Sequence, residues 1–277
     1  EESVDTWVDI AAHEFFHIVT PLTISSREVK QFDFNNTNLS KHLWLYEGST
    51  EYYSKNMQVW AALTSPEQYL ESLAGFINYS RTYSNDSLSF TAMSKGAADK
   101  YADQYGNVYL KGALISACLD LQLLQWSNGQ YGIRQLKHDL AVNFGTDKYF
   151  EDDSLFNIIA KLSYPETRSY FSKYVEGGTP IPYADYFAMA GVKYLPEETY
   201  QDFTIGGVAL SLTPEGNIKV GIEGMNEVGK ALAYQEGDEL VSLNDAAISR
   251  ANLQQRIDEL FLNAKEGDML YVKVKRK

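Results

Sequence analysis

The sequence predicts a multidomain α+β protein, with a mainly α-helical first part followed by a smaller β-rich part. Apolar residues recur at helical spacing through most of residues 1–195. From residue 202 onward, apolar and polar residues alternate, which is typical of half-buried strands. The chain has 277 residues, 44% of them hydrophobic, and this is enough for one large domain or two ordinary ones.

The composition argues against several classes of function. A formal net charge of -13 repels phosphate backbones and anionic lipids, so we expect neither nucleic-acid binding nor a role at a membrane surface. No apolar stretch reaches the ~18 residues of a membrane-spanning helix. The single cysteine, Cys118, excludes an internal disulfide framework and lies in an apolar run, where we expect a buried small hydrophobe. The cellular compartment stays open.

The first predicted helix, residues 4–19, contains the run W-V-D-I-A-A-H-E-F-F-H. His13 and His17 stand four residues apart, so a helix places both imidazoles on one face, within reach of one ion. Zinc binds neutral imidazole nitrogens, and this H-E-x-x-H spacing supplies two of them. Glu14 then lies beside the metal without ligating it, placed to take a proton from a water that the metal activates.

Two other interpretations of this motif are open. The first is a helix whose histidines face solvent or a polar core. The second is a purely structural zinc, although such sites usually fill all four positions with Cys or His, and Cys118 is far away in sequence. The remaining histidines, His42 and His138, have no motif around them and are interpreted as structural or surface residues.

A second predicted helix, residues 43–63, opens with L-W-L-Y-E-G-S-T-E-Y-Y. A zinc peptidase needs a third protein ligand and one open position, and Glu47 is the candidate for that ligand. Gly48 leaves room for this helix to approach the first. Glu51 lies on the same face as Glu47, where it either accepts a hydrogen bond from the far nitrogen of a liganding histidine or is a solvated surface charge.

The rest of the first part is predicted to consist of helices joined by polar loops at 23–40 and 81–105. The helix predicted over 108–124 has a narrow face of small residues, suited to close packing against another helix. Tyr109 stands at its start, where a phenol can point into a cleft and donate to a developing oxyanion. Apolar spacing predicts the other helices over 66–80, 128–144, 154–162, 165–175 and, as a short helix, within 174–191.

The second part is predicted to begin within 195–200, a segment with proline and glutamates. Alternation predicts strands at 208–212 and 218–222, joined by a turn at P-E-G-N. The remainder of this compact small domain is predicted as a short helix at 228–233, a turn in E-G-D-E-L-V-S-L-N, a helix at 253–261 and a last strand in M-L-Y-V-K-V.

Four motifs of the first part occur in a recognisable order. They are H-E-F-F-H (13–17), L-W-L-Y-E-G-S-T-E-Y-Y (43–53), Y-L-K-G (109–112) followed by L-D-L, and Y-V-E-G-G-T-P-I-P-Y (174–183). With these motifs the chain resembles the glycyl-aminopeptidase family of gluzincin zinc metallopeptidases, whose catalytic domain is thermolysin-like. Through I-G-G-V and E-G-D-E-L-V-S-L-N, the C-terminal part resembles a PDZ domain, which members of that family often carry.

The resemblance implies specific roles for the residues of these motifs. His13, His17 and Glu47 match the ligands of a single Zn²⁺ per chain, and Glu14 matches the general base. Tyr109 matches the tyrosine of a Y-x-K-G motif that stabilises the tetrahedral intermediate in related aminopeptidases.

The resemblance also implies a domain organisation. Residues 1–197 are expected to form the helical zinc metallopeptidase domain, and residues 198–277 the PDZ domain. Related enzymes carry a β-rich region before the zinc helix. We therefore expect this chain to be a C-terminal fragment, lacking the residues that recognise a substrate amine.

The predicted function is a zinc-dependent peptidase of the aminopeptidase type that acts on peptide substrates. The alternative belongs to a different class: a peptide-binding or regulatory PDZ protein with an incomplete, inactive catalytic lobe, which grips peptide C-termini by β-augmentation. The intact ligand set beside Glu14 favours the peptidase. The PDZ domain either binds external peptides or only packs against the catalytic domain.

Overall fold

A computed structural model describes residues 4–83, 88–197 and 203–276. The chain divides into two compact units, Glu1–Pro196 and Glu197–Lys277, each with a hydrophobic core of its own. The assignment of the two units to particular domain families stays a prediction. Within the described residues, no helix is both long and apolar enough to cross a membrane.

The first unit is built from helices. A π-helical segment, Trp44–Gly48, leads directly into the third α-helix. Short 3₁₀ turns, Ala102–Gln104 and Asp152–Ser154, stand before the sixth and the eighth. The α-helices of the described residues are α1 (Val4–Phe16), α2 (Arg27–Lys30), α3 (Ser49–Trp60), α4 (Pro66–Tyr83), α5 (Phe90–Lys95), α6 (Gly106–Trp126), α7 (Ile133–Phe144), α8 (Leu155–Leu162), α9 (Thr167–Tyr174) and α10 (Tyr183–Met189).

Helix α6 is central to the core of this unit. It packs against the π-helical segment, α3, α4 and α10, and Leu114, Leu119 and Leu123 are fully buried. A helix that is apolar over most of its circumference is typical of such a central position. Cys118 is buried in this helix, as predicted, and burial raises the pKa of its thiol.

Helix α6 and the π-helical segment approach each other closely at two glycines. A Cβ atom on Gly112 would lie 2.8 Å from the Cα atom of Gly48 and 3.2 Å from the Cα atom of Trp44. The small-residue face predicted for 108–124 is therefore confirmed as a close packing face. Gly48 was predicted to allow the close approach of the first helix, α1. In the structure it is α6 that approaches Gly48 closely. The crossing brings the segment that carries Glu47 next to the helix that carries Tyr109.

Two predicted helices differ from the observed ones near the candidate site. Helix α1 ends at Phe16 and not at residue 19, because the next turn tightens: the N–H of His17 bonds to the carbonyl of Glu14, three residues back, at 3.2 Å. Such 3₁₀ turns are frequent at helix ends. The helix predicted from residue 43 begins as the π-helical segment, which apolar spacing does not distinguish from an α-helix.

One helix was missed in the predicted loop at 81–105. Helix α5 lies there, and the side chain of Ser89 caps it by accepting a hydrogen bond from the N–H of Ala92 at 3.2 Å. The buried residues Phe90 and Met93 hold this short helix against the core. The loop prediction is wrong here because two buried side chains outweigh the polar composition of the segment around them.

The second unit is an antiparallel sheet with two helices, α11 (Glu227–Ala231) and α12 (Leu253–Asn263). Its first two strands form a hairpin in which Leu212 stands opposite Ile218. The third strand pairs with the second, the fourth and the fifth. The strands are β1 (Ala209–Leu212), β2 (Ile218–Gly221), β3 (Glu239–Leu243), β4 (Ala246–Ala247) and β5 (Val272–Lys275).

The run E-G-D-E-L-V-S-L-N was predicted to be a turn, and this prediction is wrong for most of it. The run contains β3, which has more strand neighbours than any other described strand of the sheet. Leu240 and Leu243 are buried in the core of the unit. Tertiary burial of these leucines thus decides the structure, although the first residues of the run do form a turn at Gly237.

Candidate metal centre

Two packed elements bring three predicted ligands to one point. Helix α1 lies against α3, which continues the π-helical segment that carries Glu47. The Nε2 atom of His13 is 3.3 Å from Oε2 of Glu47, and the Nε2 atom of His17 is 3.6 Å from the same oxygen. The two imidazole rings stand edge to face, with centroids 4.9 Å apart.

These distances fit the donor set of a tetrahedral zinc ion. With zinc–ligand bonds of about 2.0–2.1 Å, a tetrahedron separates neighbouring ligand atoms by about 3.3–3.4 Å. The two distances from Glu47 to the histidine nitrogens lie at or just above this separation. Two imidazoles and one carboxylate fill three positions, which leaves the fourth for a water or a substrate.

The far nitrogen of each histidine has a hydrogen-bond partner. The Nδ1 atom of His13 donates to Oε2 of Glu51 at 2.9 Å, and the Nδ1 atom of His17 donates to the backbone carbonyl of Thr20 at 2.9 Å. Partners of this kind fix the orientation of a liganding imidazole and direct its other nitrogen to the metal. For Glu51, the geometry favours the hydrogen-bonding role over that of a solvated surface charge.

The carboxylates set the charge of this centre. Burial on its own lowers the pKa of His13, but the hydrogen bonds with Glu47 and Glu51 outweigh it and raise the pKa to about 9. In the metal-free chain, His13 is therefore held as an imidazolium between two carboxylates. A metal that binds here displaces this proton and takes its place as the positive charge.

Glu14 lies at the same centre. One oxygen of its carboxylate, together with one ring nitrogen each from His13 and His17, forms a group whose members all lie within 4.8 Å of one another. The residue itself is exposed, whereas His13 is buried and Glu47 is partly buried. Both carboxylates are thus close enough to reach an ion, and the Oε2 atom of Glu47 lies 3.3 and 3.6 Å from the two Nε2 atoms.

Tyr109 is placed beside the centre by the crossing of α6 over the π-helical segment. Its ring centroid lies 5.7 Å from that of His13. Burial, a hydrogen bond with Tyr105 and the charges of Glu47 and Glu14 all raise the pKa of its hydroxyl. The phenol therefore keeps its proton at any ordinary pH and remains able to donate it in a hydrogen bond.

A cleft of about 490 Å³ gives access to these side chains. All five predicted site residues line it, together with residues that the sequence reasoning did not single out. Among these, Asp9 and Lys55 form an ion pair at 2.6 Å on the cleft wall. Helical spacing could have found both, since Asp9 precedes His13 by four residues and Lys55 follows Glu51 by four. Tyr105, which precedes Tyr109 by four residues, could have been found in the same way, whereas the Thr20 carbonyl carries no side-chain signal.

Comparison with protein families gives a match to one of them. The family model of the M61 glycyl aminopeptidases matches residues 6–115, a range that includes all five predicted site residues. A comparison with curated proteins gives no significant match.

Comparison with solved structures finds a crystal structure of an aminopeptidase N family protein from Idiomarina loihiensis. The TM-score is 0.65 at 18% sequence identity, and the match covers 100% of this chain and 50% of that one. At this identity the likeness shows a shared fold. The chain thus spans half the length of the structure it matches, and the family match supports a peptidase.

Proposed function

We propose that the chain carries the catalytic part of a zinc-dependent peptidase of the aminopeptidase type. Residues 1–197 form its helical, thermolysin-like catalytic domain in this proposal. One observation carries it: the Nε2 atoms of His13 and His17 lie 3.3 and 3.6 Å from one oxygen of Glu47, at or just above the separations of a zinc tetrahedron. The M61 family match supports the same class of enzyme.

His13, His17 and Glu47 would hold one Zn²⁺ per chain. The carboxylate of Glu51 and the carbonyl of Thr20, which bond to the Nδ1 atoms of the two histidines, would keep the imidazoles in place. When bound, zinc supplies Lewis-acid polarisation of a carbonyl and lowers the pKa of water toward ~7. Glu14, exposed in the cleft, acts as the general base that takes the proton of the attacking water and later delivers it to the leaving amine. A positioned base of this kind contributes about 10²–10⁴ in rate.

Tyr109 donates a hydrogen bond to the oxyanion that forms when the peptide carbonyl becomes tetrahedral. Its raised pKa suits this role, because a phenol that never ionises stays a donor throughout turnover. Two observations support this role: Tyr109 lines the cleft, and its ring lies next to that of His13.

Helix α1 exposes large apolar side chains next to the metal ligands, among them Val4 at 77%, Trp7 at 60% and Phe15 at 62%. Exposed apolar groups of this size on one element are typical of a surface that another domain or chain covers. Such a covering β-rich region, as the resemblance implies, would supply the groups that select free amino termini.

We propose that residues 198–277 form a PDZ domain, and its features also support the alternative function as a peptide-binding module. Among the described strands, β1 pairs only with β2, so its other edge is open to a peptide strand. A cavity of about 960 Å³, lined in part by Leu260 and Phe203, lies beside α12. Retention of C-terminal peptides by the full chain on a peptide array would support binding of external partners, and no retention would favour a packing role.

Hydrolysis of unblocked and N-acetylated peptide amides tests the proposed peptidase. We expect the chain to cleave the unblocked series, to lose this activity when a chelator removes the metal, and to regain it when zinc is added back. Equal cleavage of the two series would mean that the described residues do not select free amino termini, cleavage of neither series would contradict the proposed peptidase, and activity that survives the chelator would exclude the metal mechanism.

The Tyr109→Phe variant tests the oxyanion role. Removal of one such donor lowers turnover by about 10²–10³, while zinc affinity stays the same because the phenol is not a ligand. The control is Tyr149→Phe, since Tyr149 is 40% exposed and outside the cleft. An unchanged kcat in Tyr109→Phe would remove Tyr109 from the mechanism.

A further inference from the structure

Helix α7 contributes a buried lysine that the proposed mechanism does not use. Lys137 is 5% exposed, and its Nζ atom lies 3.2 Å from Oγ1 of Thr20 and 4.8 Å from the ring centroid of Tyr53. In the described part of the chain it forms no ion pair with a carboxylate. Burial lowers the pKa of its amine to about 7.

A buried amine without a counter-ion is unfavourable for stability. Well-packed apolar residues of similar volume are often as stable as buried charged groups, or more stable. The face of the Tyr53 ring stabilises the ammonium form in part, and the Thr20 hydroxyl accepts a hydrogen bond from its Nζ atom. The contact with Thr20 is therefore the feature that gives Lys137 a specific role.

Thr20 connects Lys137 to a chain of buried hydroxyl groups. The Thr50 hydroxyl donates to the carbonyl of Tyr46 at 2.7 Å. The two threonine Oγ1 atoms lie 3.4 Å apart. Because the hydrogen of the Thr50 hydroxyl is already committed to Tyr46, the Thr20 hydroxyl donates to Thr50 and accepts from the amine of Lys137. Both threonines are fully buried, so the direction of every hydrogen bond in this chain is set by protein groups.

Both ends of this row of hydroxyl groups adjoin the candidate metal centre. Thr20 is the residue whose carbonyl accepts the hydrogen bond from Nδ1 of His17. Tyr46 directly precedes Glu47, in the π-helical segment. This row of hydroxyl groups thus connects the turn at Thr20, which orients His17, to the π-helical segment, which carries Glu47.

We propose that Lys137 is a positioning residue of the metal centre: by holding Thr20, it fixes the His17 imidazole relative to Glu47. This inference rests on the proposed function, since it takes His17 and Glu47 as metal ligands. Lys137 touches neither the metal nor the substrate in this account. It acts through the Thr20 backbone, as other hydrogen-bond partners of liganding histidines do.

Metal affinity and ligand geometry test the inference in the full chain. The variants are Lys137→Met, which keeps the length of the side chain, and Thr20→Val, which keeps the shape of threonine but removes its hydroxyl. Thr20→Ser restores the hydroxyl, and Lys148→Met is the control, because Lys148 is exposed. The measurements are the zinc dissociation constant by chelator competition, the visible spectrum of the cobalt-substituted protein, and thermal unfolding of the metal-free protein.

We expect Lys137→Met and Thr20→Val to bind zinc about tenfold more weakly, at the lower end of the range for such partners, and to change the cobalt spectrum. Thr20→Ser and Lys148→Met should match the wild type. Metal-free Lys137→Met should unfold at the wild-type temperature or above, which separates positioning from loss of stability.

Two outcomes would overturn the inference in distinguishable ways. If the wild type binds zinc tightly and both variants bind it equally well, with the same cobalt spectrum, Lys137 has no positioning role and the proposed function stands. If the wild type binds no metal, the proposed function fails and takes this inference with it.

Discussion

Replacement of Glu14 by glutamine should slow peptide hydrolysis severely and leave the metal in place. The amide cannot accept a proton, so the contribution of the general base, about 10²–10⁴ in kcat, is lost. The side chain keeps its size, and the two histidines with Glu47 still hold the ion. We expect the variant to contain as much zinc as the wild type.

The matched control for this variant is Glu71→Gln, an exposed glutamate on α4 outside the cleft. Two results would contradict the assignment of Glu14. Hydrolysis within tenfold of the wild type would mean that another group accepts the proton. Loss of zinc from Glu14→Gln would mean that Glu14 is itself a ligand, a role that its closeness to both histidines makes chemically accessible.

Replacement of Gly112 by alanine should destabilise the first unit. The added Cβ would meet two backbone atoms, the Cα of Gly48 at 2.8 Å and the Cα of Trp44 at 3.2 Å. Backbone cannot move aside as a side-chain tip can, so α6 and the π-helical segment must separate. Overpacking of this kind costs about 1–3 kcal/mol, even after the better helix propensity of alanine is counted. Because Glu47 adjoins Gly48, zinc affinity should fall as well.

Gly75→Ala is the control for this substitution. Gly75 lies inside α4, and a Cβ atom there would meet nothing within 4 Å. Alanine at such a position stabilises by about 0.4–1 kcal/mol. Urea denaturation of the metal-free variants measures both effects. A Gly112→Ala chain as stable as Gly75→Ala would show that the glycine crossing is not tight.

The sequence predicts the parts of the candidate site that depend on local spacing. A four-residue interval predicts that His13 and His17 share a face, and their rings do lie side by side, although His17 belongs to the tighter turn that follows α1. The same interval relates Glu47 to Glu51, and the structure brings both carboxylates to the histidines. Glu47, however, lies in a π-helical segment, where an α-helix was predicted. The roles of these residues and of Tyr109 stay predictions.

The contacts that sequence patterns could not predict are those between distant elements. The Thr20 carbonyl has no side-chain signature, and Lys137 lies 117 positions away from the threonine it contacts. Strand β3 was predicted as a turn for a related reason: the burial of Leu240 and Leu243 depends on the strands that pair with it on either side. Periodicity describes one segment at a time, so partners supplied by other segments are outside its reach.

The most direct test of the central claim is the zinc content of this chain and of its Glu47→Ala variant, measured by elemental analysis after metal is supplied. We expect one zinc per chain in the wild type and its loss in the variant. Zinc retained by Glu47→Ala would contradict the assignment of the third ligand. Absence of zinc from both proteins would contradict the metal centre itself and favour the peptide-binding module.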